Sequence, residues 1–179
     1  MLKLSKNLLI RKPKQLAKNA LIHIKGVPEE PIFIVGCGHS GTSLMLAMLD
    51  THSKLYAVPY ESRIFTKLTI KTDILYQMLL WQKDAKRNLK ERWVEKTPKH
   101  IDYLDKIFEI APKAKIIAML RDGRDVACSI KNRTGNLEDG INRWLETCSI
   151  LSDFLNDSRV CVVKLEDLVA NPEEKLCRF

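Results

Sequence analysis

The stretch FIVGCGHSGTSLMLAML, residues 33–49, joins a short apolar run to a glycine-rich turn and a segment with the apolar spacing of a helix. A strand, a tight turn and a helix in this order place the free backbone N–H groups of the helix start beside the turn. Those N–H groups and the positive end of the helix dipole favour a bound anion. Ser40, Thr42 and Ser43 add hydroxyl donors at the same point. The stretch therefore predicts a phosphate-binding turn.

Strand and helix patterns alternate along the rest of the chain. Apolar runs typical of buried strands are PIFIVG, KLYAV, RWVEK, AKIIAML and RVCVVKL, which begin at residues 31, 54, 92, 114 and 159. Helical patterns occur at residues 40–50, 62–90 with a break near Thr72 and Asp73, 100–110, 121–133 and 137–155. This alternation predicts an α/β fold of three layers, in which helices cover both faces of a mainly parallel β-sheet.

The formal net charge of +8 is concentrated at one end of the sequence. Residues 1–25 contain seven of the 30 Lys and Arg residues and no Asp or Glu, so 23 basic residues remain against 22 acidic ones. The remainder is nearly neutral and does not favour nucleic acid as a partner. We therefore divide the chain into a basic amphipathic N-terminal extension, residues 1–25, and one domain, residues 26–179.

The extension alternates basic residues with leucine and isoleucine, and Pro13 interrupts it. No uncharged run approaches the roughly 20 residues of a membrane span, and the interleaved charges do not fit a secretory signal peptide. One interpretation is a helix that packs its apolar face on the domain. The other is a helix that contacts a membrane surface or a partner.

Five cysteines are scattered through the chain without a C-x-x-C pair. This usage is typical of reduced thiols in a cytoplasmic protein and does not suggest a disulfide framework or a zinc site. The four histidines also lack metal-ligand spacing. We expect a cytoplasmic protein without a metal, either free or bound to the membrane periphery through residues 1–25.

The glycine turn matches two phosphate-binding motifs that take different ligands. Residues 36–43 follow the Walker pattern, but Thr42 stands where a lysine should reach the outer phosphates of a nucleotide with magnesium. The three glycines of the turn also match the dinucleotide pattern, and Glu61 lies twenty residues beyond the last of them, where a ribose-binding acid is expected. Three hydroxyl residues have no role in a dinucleotide turn. A P-loop kinase and a dinucleotide-binding protein are the alternatives at this stage.

Two basic turns follow the third and fourth predicted strands, in VEKTPKH (residues 94–100) and LRDGRDVACSI (residues 120–130). In an open parallel sheet, the turns after the strands project toward one edge, which also carries the glycine turn. Lys96, Arg121 and the hydroxyl of Ser129, together with Arg124, are then expected to face one ligand. That ligand would carry two separated anionic groups.

These segments together resemble the sulfotransferase family that uses 3′-phosphoadenosine 5′-phosphosulfate (PAPS). GCGHSGTS is similar to the family's loop for the 5′-phosphosulfate, and LRDGRDVACS is similar to its 3′-phosphate segment, with Arg121 and Ser129 at the matching eight-residue separation. EKTPKH and KLEDLVANPEEKL complete the pattern, so the resemblance runs from Pro31 to the end of the chain. It implies a P-loop-like nucleotide-binding fold and a hydroxyl-bearing acceptor, which is a glycan, lipid, peptide or small molecule. Family members usually continue past residue 179, so we expect the domain to lack its C-terminal part.

GCGHSGTSLMLAMLDTH and VPYESRIF resemble the branch that includes tyrosylprotein and many bacterial sulfotransferases. The resemblance implies that Glu61 is the general base, since this branch uses a glutamate shortly after the second strand. Cytosolic members instead carry a catalytic histidine at the position that Pro98 occupies here. It implies that Lys96 acts on the leaving phosphate, and that His39, where the family commonly has lysine or arginine, contributes to catalysis and to cofactor binding. The implied cofactor-binding residues are Gly38, His39, Ser40, Gly41, Thr42, Ser43, Arg121 and Ser129.

Each assignment has a structural alternative. Glu61 fits a solvated acid at a helix start, Lys96 fits a surface lysine, and Arg124 fits a partner of Asp122 or Glu138. Arg121 and Ser129 fit structural partners of nearby acids, Trp93 and Trp144 fit core positions, and Cys37 fits a small filler of the loop. We predict a sulfonate transferase, with an incomplete or non-catalytic nucleotide-binding member of the same fold as the alternative.

Overall fold

The computed structural model describes Lys18 and residues 30–176. The predicted N-terminal extension, residues 1–25, therefore lies outside the described residues apart from Lys18. Lys18 Nζ lies 2.6 Å from Asp73 Oδ1 and 5.2 Å from the centre of the Tyr76 ring. This one basic residue of the extension thus contacts the domain.

Five strands of the described residues form one sheet, and every neighbouring pair is parallel. The strands are β1 (Ile32–Gly36), β2 (Leu55–Ala57), β3 (Arg92–Lys96), β4 (Lys115–Leu120) and β5 (Val160–Lys164). Their order across the sheet is β2-β3-β1-β4-β5. Each strand coincides with one of the apolar runs, which confirms the predicted parallel sheet.

Helices connect the strands and cover both faces of the sheet, which confirms the predicted three layers. The α-helices of the described residues are α1 (Thr42–Asp50), α2 (Lys71–Arg87), α3 (Leu104–Ile110), α4 (Gly123–Thr134), α5 (Leu137–Asp153), α6 (Leu165–Ala170) and α7 (Pro172–Leu176). A 3-10 helix, Pro98–Tyr103, forms the first part of the helix predicted from residue 100. None of the described helices is long and apolar enough to cross a bilayer.

The apolar core lies in two layers, one on each face of β1. Ile32 and Ile34 belong to the layer that includes Met45 and Leu49 of α1. Phe33 belongs to the opposite layer, which draws its buried residues from α2, α3 and α5 and includes both Trp81 and Trp93. Every residue of β1 is buried, as a central strand of a parallel sheet requires.

The helix predicted over residues 62–90 begins only at Lys71, and the segment before it is an irregular loop. The Ser62 N–H group donates a hydrogen bond of 3.0 Å to Glu95 Oε1, at the end of β3. Phe65 is 1% exposed and packs in the core. These long-range contacts override the local helical propensity of the loop, so this part of the prediction is wrong.

The sheet order brings the two predicted anion-binding turns to one place. β1 and β4 are neighbours, but β1 continues through α1 to β2 at one side of the sheet and β4 continues through α4 and α5 to β5 at the other. Such a reversal opens a crevice at the carboxyl ends of the strands. The glycine turn and the turn after β4 both border this crevice.

Candidate functional site

The glycine turn connects β1 to α1 at the crevice, and its backbone passes close to neighbouring elements. Gly36 has a φ of 140°, and a Cβ added there would lie 2.3 Å from the carbonyl oxygen of Met119 in β4. Gly41 precedes α1 with a φ of 82°, and a Cβ added there would lie 2.6 Å from Leu165 Cδ1. Both positions therefore require glycine for the turn to lie against β4 and α6.

Three features of the turn fit a bound anion. Gly38 lines the cleft, and a Cβ added there would meet none of the described atoms within 4 Å. Ser40 is fully buried, and its hydroxyl has no hydrogen-bond partner among the described residues. Thr42 and Ser43 line the cleft at the start of α1. A buried hydroxyl without a partner destabilises a protein by about 1–3 kcal/mol, a cost that an anionic ligand oxygen would remove.

His39 connects the glycine turn to the segment that follows β4. Its Nδ1 and Ser129 Oγ lie 2.8 Å apart in a hydrogen bond, and Arg121 Nη1 donates to the His39 carbonyl oxygen at 3.2 Å. Partial burial lowers the pKa of His39 from its ordinary value of 6.5, and the charges of Arg133, Arg121 and Arg143 lower it further. The imidazole is therefore mainly neutral at pH 7, and the three arginine charges disfavour its protonation.

The structure separates the arginines of the turn after β4. Arg121 lines the cleft, and its Nη2 also lies 3.3 Å from Asp125 Oδ2. The side chain of Arg124 is 90% exposed and pairs with Asp122 at 2.6 Å. Hydrogen bonds from Arg124 lower the pKa of Asp122 to about 2. Arg124 is therefore the ion-pair partner of Asp122, as its structural alternative predicted, and the expectation that it faces the ligand is wrong.

Glu61 lines the cleft, and Lys96, which is not itself a lining residue, pairs with it. Lys96, the last residue of β3, donates to Glu61 Oε1 at 2.6 Å, and Arg63 Nη2 lies 3.6 Å from Glu61 Oε2. The side chain of Lys96 is 12% exposed and that of Glu61 is 35% exposed. The structure therefore brings the sequence-predicted base and the sequence-predicted phosphate ligand into one ion pair.

A buried polar cluster lies directly behind this ion pair, and the sequence did not reveal it. Glu95 is 0% exposed and accepts hydrogen bonds from Ser62 and from the Thr97 hydroxyl, while His100 Nδ1 lies 3.1 Å from its Oε2. The Phe65 N–H group donates to His100 Nε2 at 3.4 Å. A His100 tautomer with the proton on Nδ1 satisfies both contacts.

The turns enclose a cleft with a volume of about 1010 Å³. Its basic lining residues are His39, Arg63, Lys99, His100, Arg121, Arg133 and Arg143, and its acidic ones are Glu61, Asp102 and Glu146. Five of the basic residues are lysine or arginine against three acids, so the lining favours an anionic ligand. In the part of the chain that the structure describes, no group of three or more His, Cys, Asp or Glu residues could hold a metal ion.

The sequence did not predict two residues of the cleft lining, Arg133 and Arg143, or the buried Glu95 outside it. Arg133 follows Ser129 by four residues on α4, so helical spacing alone would have placed both on one face. Arg143 comes from α5 and meets the cleft through tertiary packing, without a local signal. Glu95 carried one signal, since a carboxylate inside a buried strand requires partners.

Trp93, Trp144 and Cys37, the residues expected to be structural, are buried to different degrees. Trp93 is 1% exposed in the core, whereas Trp144 is partly buried and its Nε1 donates to the Arg121 carbonyl oxygen at 2.9 Å. Cys37 is 3% exposed and packs with Val126 and Ile130. Trp144 thus supports the backbone of the residue that carries the predicted 3′-phosphate contact.

Comparison with known sequences gives a consistent result. The model of the family described as "Sulfotransferase family" matches residues 68–179, which contain the turns after β3 and β4. A protein-tyrosine sulfotransferase of Drosophila melanogaster is 27% identical in an alignment 192 residues long, which includes 83% of this chain and 37% of that protein. The chain therefore spans little more than a third of the length of this curated relative.

Solved structures share the fold. The sulfotransferase domain of the Synechococcus PCC 7002 olefin synthase superposes with a TM-score of 0.68 at 19% identity, covering 85% of this chain and 72% of that one. A sulfotransferase from Alicyclobacillus acidocaldarius gives a TM-score of 0.56 at 21% identity, covering 84% and 78%. At these identities the likeness concerns the arrangement of strands and helices.

Proposed function

Because the chain belongs to the sulfotransferase family, we propose that it transfers a sulfonate group from PAPS to the hydroxyl group of an acceptor. The observation that carries the proposal is the junction of two anion-binding segments in one cleft. His39 of the glycine turn and Ser129 of the segment after β4 lie 2.8 Å apart although 90 residues separate them in the sequence. Such a junction suits one ligand with two phosphate-type groups.

The residues present fit the nucleotide. The glycine turn offers the helix start, the buried Ser40 hydroxyl, and Thr42 and Ser43 to the 5′-phosphosulfate. Gly38 leaves room for close approach, and His39 lies between the two ends of the site. Arg121 and Ser129 are proposed to hold the 3′-phosphate, with Arg133 on the same helix face as Ser129.

Glu61 and Lys96 are proposed to carry the chemistry. When bound, PAPS supplies a sulfonate group on a leaving adenosine 3′,5′-bisphosphate. Glu61 accepts the proton of the acceptor hydroxyl, and its position at the cleft surface leaves it open to such an acceptor. The ammonium group of Lys96 stabilises negative charge at the leaving phosphate. For both roles, the 2.6 Å ion pair between them must open when the substrates enter.

The same ion pair favours a second candidate, a protein that binds the nucleotide without turnover. If Glu61 and Lys96 stayed paired, the carboxylate would remain bound to an ammonium group and the acceptor proton would lack its base. The two candidates predict equal nucleotide binding and differ in transfer.

Transfer of radiolabelled sulfonate from PAPS to a panel of hydroxyl compounds tests the proposal. The panel includes a tyrosyl peptide, because the Drosophila relative is a protein-tyrosine sulfotransferase, together with glycans, lipids and small alcohols. We expect transfer to at least one class. Nucleotide binding without transfer to any of them would support the second candidate, and the absence of nucleotide binding would refute both.

Substitution of the ion pair assigns the roles. We expect Glu61→Gln to slow transfer by roughly 10²- to 10⁴-fold with little change in nucleotide affinity, since the amide cannot accept the proton. Lys96→Ala should weaken both nucleotide binding and turnover, because its charge acts before and during the reaction. Glu91→Gln and Lys54→Ala are matched controls, since these residues form an exposed ion pair of 3.0 Å on another surface. Undiminished transfer by Glu61→Gln would remove Glu61 as the base.

A further inference from the structure

Glu95 is a charged group in a place where stability alone favours an apolar one. It lies on β3 opposite Phe33 of β1, which belongs to the core layer that contains Trp93, and its side chain is 0% exposed. Burial of a carboxylate raises its pKa, but the hydrogen bonds from His100, Thr97 and Ser62 hold the pKa of Glu95 below its usual value. Replacement of buried ionic groups by apolar residues is often neutral or stabilising in proteins. The carboxylate therefore needs an explanation beyond core packing.

The contacts of Glu95 converge on the segment that presents the catalytic groups. One oxygen, Oε1, accepts from both the N–H and the hydroxyl of Ser62, at 3.0 and 2.8 Å. The same oxygen accepts from the hydroxyl of Thr97, while Oε2 faces His100. Ser62 directly follows Glu61, and Thr97 directly follows Lys96. One buried carboxylate thus fixes the backbone neighbour of each member of the ion pair.

Glu95 and Lys96 are consecutive residues of β3, so their side chains lie on opposite faces of the sheet. Glu95 points into the core layer that contains Phe33 and Trp93, whereas Lys96 points to the other face. Glu95 is 0% exposed, whereas the Lys96 side chain keeps 12% of its surface exposed. It can therefore act on the reaction through Ser62 and Thr97 without contact with either substrate.

We propose that Glu95 is a positioning residue of sulfonate transfer, which aims the Glu61 carboxylate by clamping Ser62 to the end of β3. The inference rests on the proposed function of Glu61. The loop between β2 and α2 has no helix or strand over residues 58–70. The hydrogen bonds between Ser62 and Glu95 then hold this loop in the conformation that transfer requires.

Ser62→Ala and Glu95→Gln test the clamp at its two ends. Ser62→Ala removes the hydroxyl that donates to Glu95 Oε1 at 2.8 Å and accepts from the Ile64 N–H group at 3.5 Å, and it keeps the N–H contact of residue 62 to Glu95. Glu95→Gln keeps the shape while its NH₂ group opposes the donors of His100 or Thr97. We expect the kcat for transfer to fall roughly 10- to 100-fold with each, since a misplacement of about 1 Å can cost about 10²-fold. The affinity for adenosine 3′,5′-bisphosphate should stay within about twofold. Ser152→Ala and Glu91→Gln are the matched controls, on exposed positions distant in sequence from the loop.

A double-variant comparison separates positioning from general damage. If Glu95 acts through Glu61, then adding Ser62→Ala or Glu95→Gln to Glu61→Gln should cause no further loss of kcat, because the aimed group is already absent. Losses that multiply, or nucleotide affinity that falls in parallel with kcat, would overturn the inference while leaving the proposed function in place. An absence of transfer by the unaltered chain would overturn both.

Hydrogen exchange provides a readout that does not depend on activity. In the folded Glu95→Gln protein, the amides of Ser62 and Phe65 should exchange at least tenfold faster than in the unaltered chain, whereas those of β1 should keep their protection. If Glu95→Gln does not fold, the same measurement on Ser62→Ala decides, with faster exchange expected over residues 62–65. Unchanged exchange there in a folded variant would refute the clamp.

Discussion

Arg121→Ala is the perturbation that most directly examines how the cleft distinguishes nucleotides. Arg121 follows β4, lines the cleft and donates to the His39 carbonyl oxygen at 3.2 Å. Its proposed ligand, the 3′-phosphate, is present in adenosine 3′,5′-bisphosphate and missing from adenosine 5′-monophosphate. The ratio of the two affinities therefore isolates this contact, because any loosening of the glycine turn affects both nucleotides.

The magnitude follows from the surroundings of the guanidinium. A hydrogen bond to a charged group contributes about 1.5–3 kcal/mol, which corresponds to about 10- to 150-fold in affinity. Arg121 is 29% exposed, and Asp125 lies 3.3 Å away as a competing partner. Solvent and this carboxylate both reduce the gain, so we expect the lower part of the range, about 10- to 30-fold.

Isothermal titration calorimetry of both nucleotides provides the measurement. The unaltered protein should prefer the bisphosphate, and Arg121→Ala should reduce that preference by the stated factor. Arg124→Ala is the matched control, since Arg124 is three residues away, 90% exposed and paired with Asp122. Equal binding of the two nucleotides by the unaltered protein, or an equal effect of Arg124→Ala, would refute the 3′-phosphate assignment.

Three further outcomes are expected. Because the pKa of His39 is lowered in the folded state, the unfolded chain binds the extra proton more readily. The contribution of neutral His39 to stability is therefore present above pH 6.5 and is lost as the pH falls toward the folded-state pKa. In denaturant unfolding between pH 7 and 5, the unaltered protein should lose stability relative to His39→Asn, and parallel curves would contradict this. Gly36→Ala should lower the free energy of unfolding by about 3 kcal/mol or more, and Gly41→Ala should lower it less. The new Cβ at position 36 meets a backbone carbonyl, whereas the one at position 41 meets the end of a leucine side chain, which can rotate away. Equal losses in denaturant titration would contradict this. Deletion of residues 1–25 should leave nucleotide affinity intact and weaken salt-sensitive binding to anionic vesicles. If the full chain does not bind such vesicles, the interpretation that this segment packs on the domain is favoured.

The strands were predictable because a parallel sheet needs buried apolar runs, and β1 and β4 contain almost nothing else. The meeting of the glycine turn with Arg121 followed from the rule for ligand crevices in open sheets. The loop before α2 was mistaken for a helix because its conformation depends on Glu95, more than 30 residues away, and no local pattern contains that contact. Arg143 reaches the cleft from α5 for a similar reason, since its place depends on how α4 and α5 pack.

The central position of β1 in the sheet has a consequence for how the chain folds. Ile32 pairs with Val94 of β3 on one side and with Lys115 of β4 on the other, so both neighbours of this apolar strand are contributed by residues more than 60 positions later. Contacts of such long sequence separation slow folding, because a large loop must close before any pairing is gained. During synthesis this strand precedes both of its partners and has two unpaired edges until they appear, which favours aggregation and chaperone binding at this stage. The glycine turn lies against Met119 at its start, so it can adopt its described form only after β4 has paired with β1.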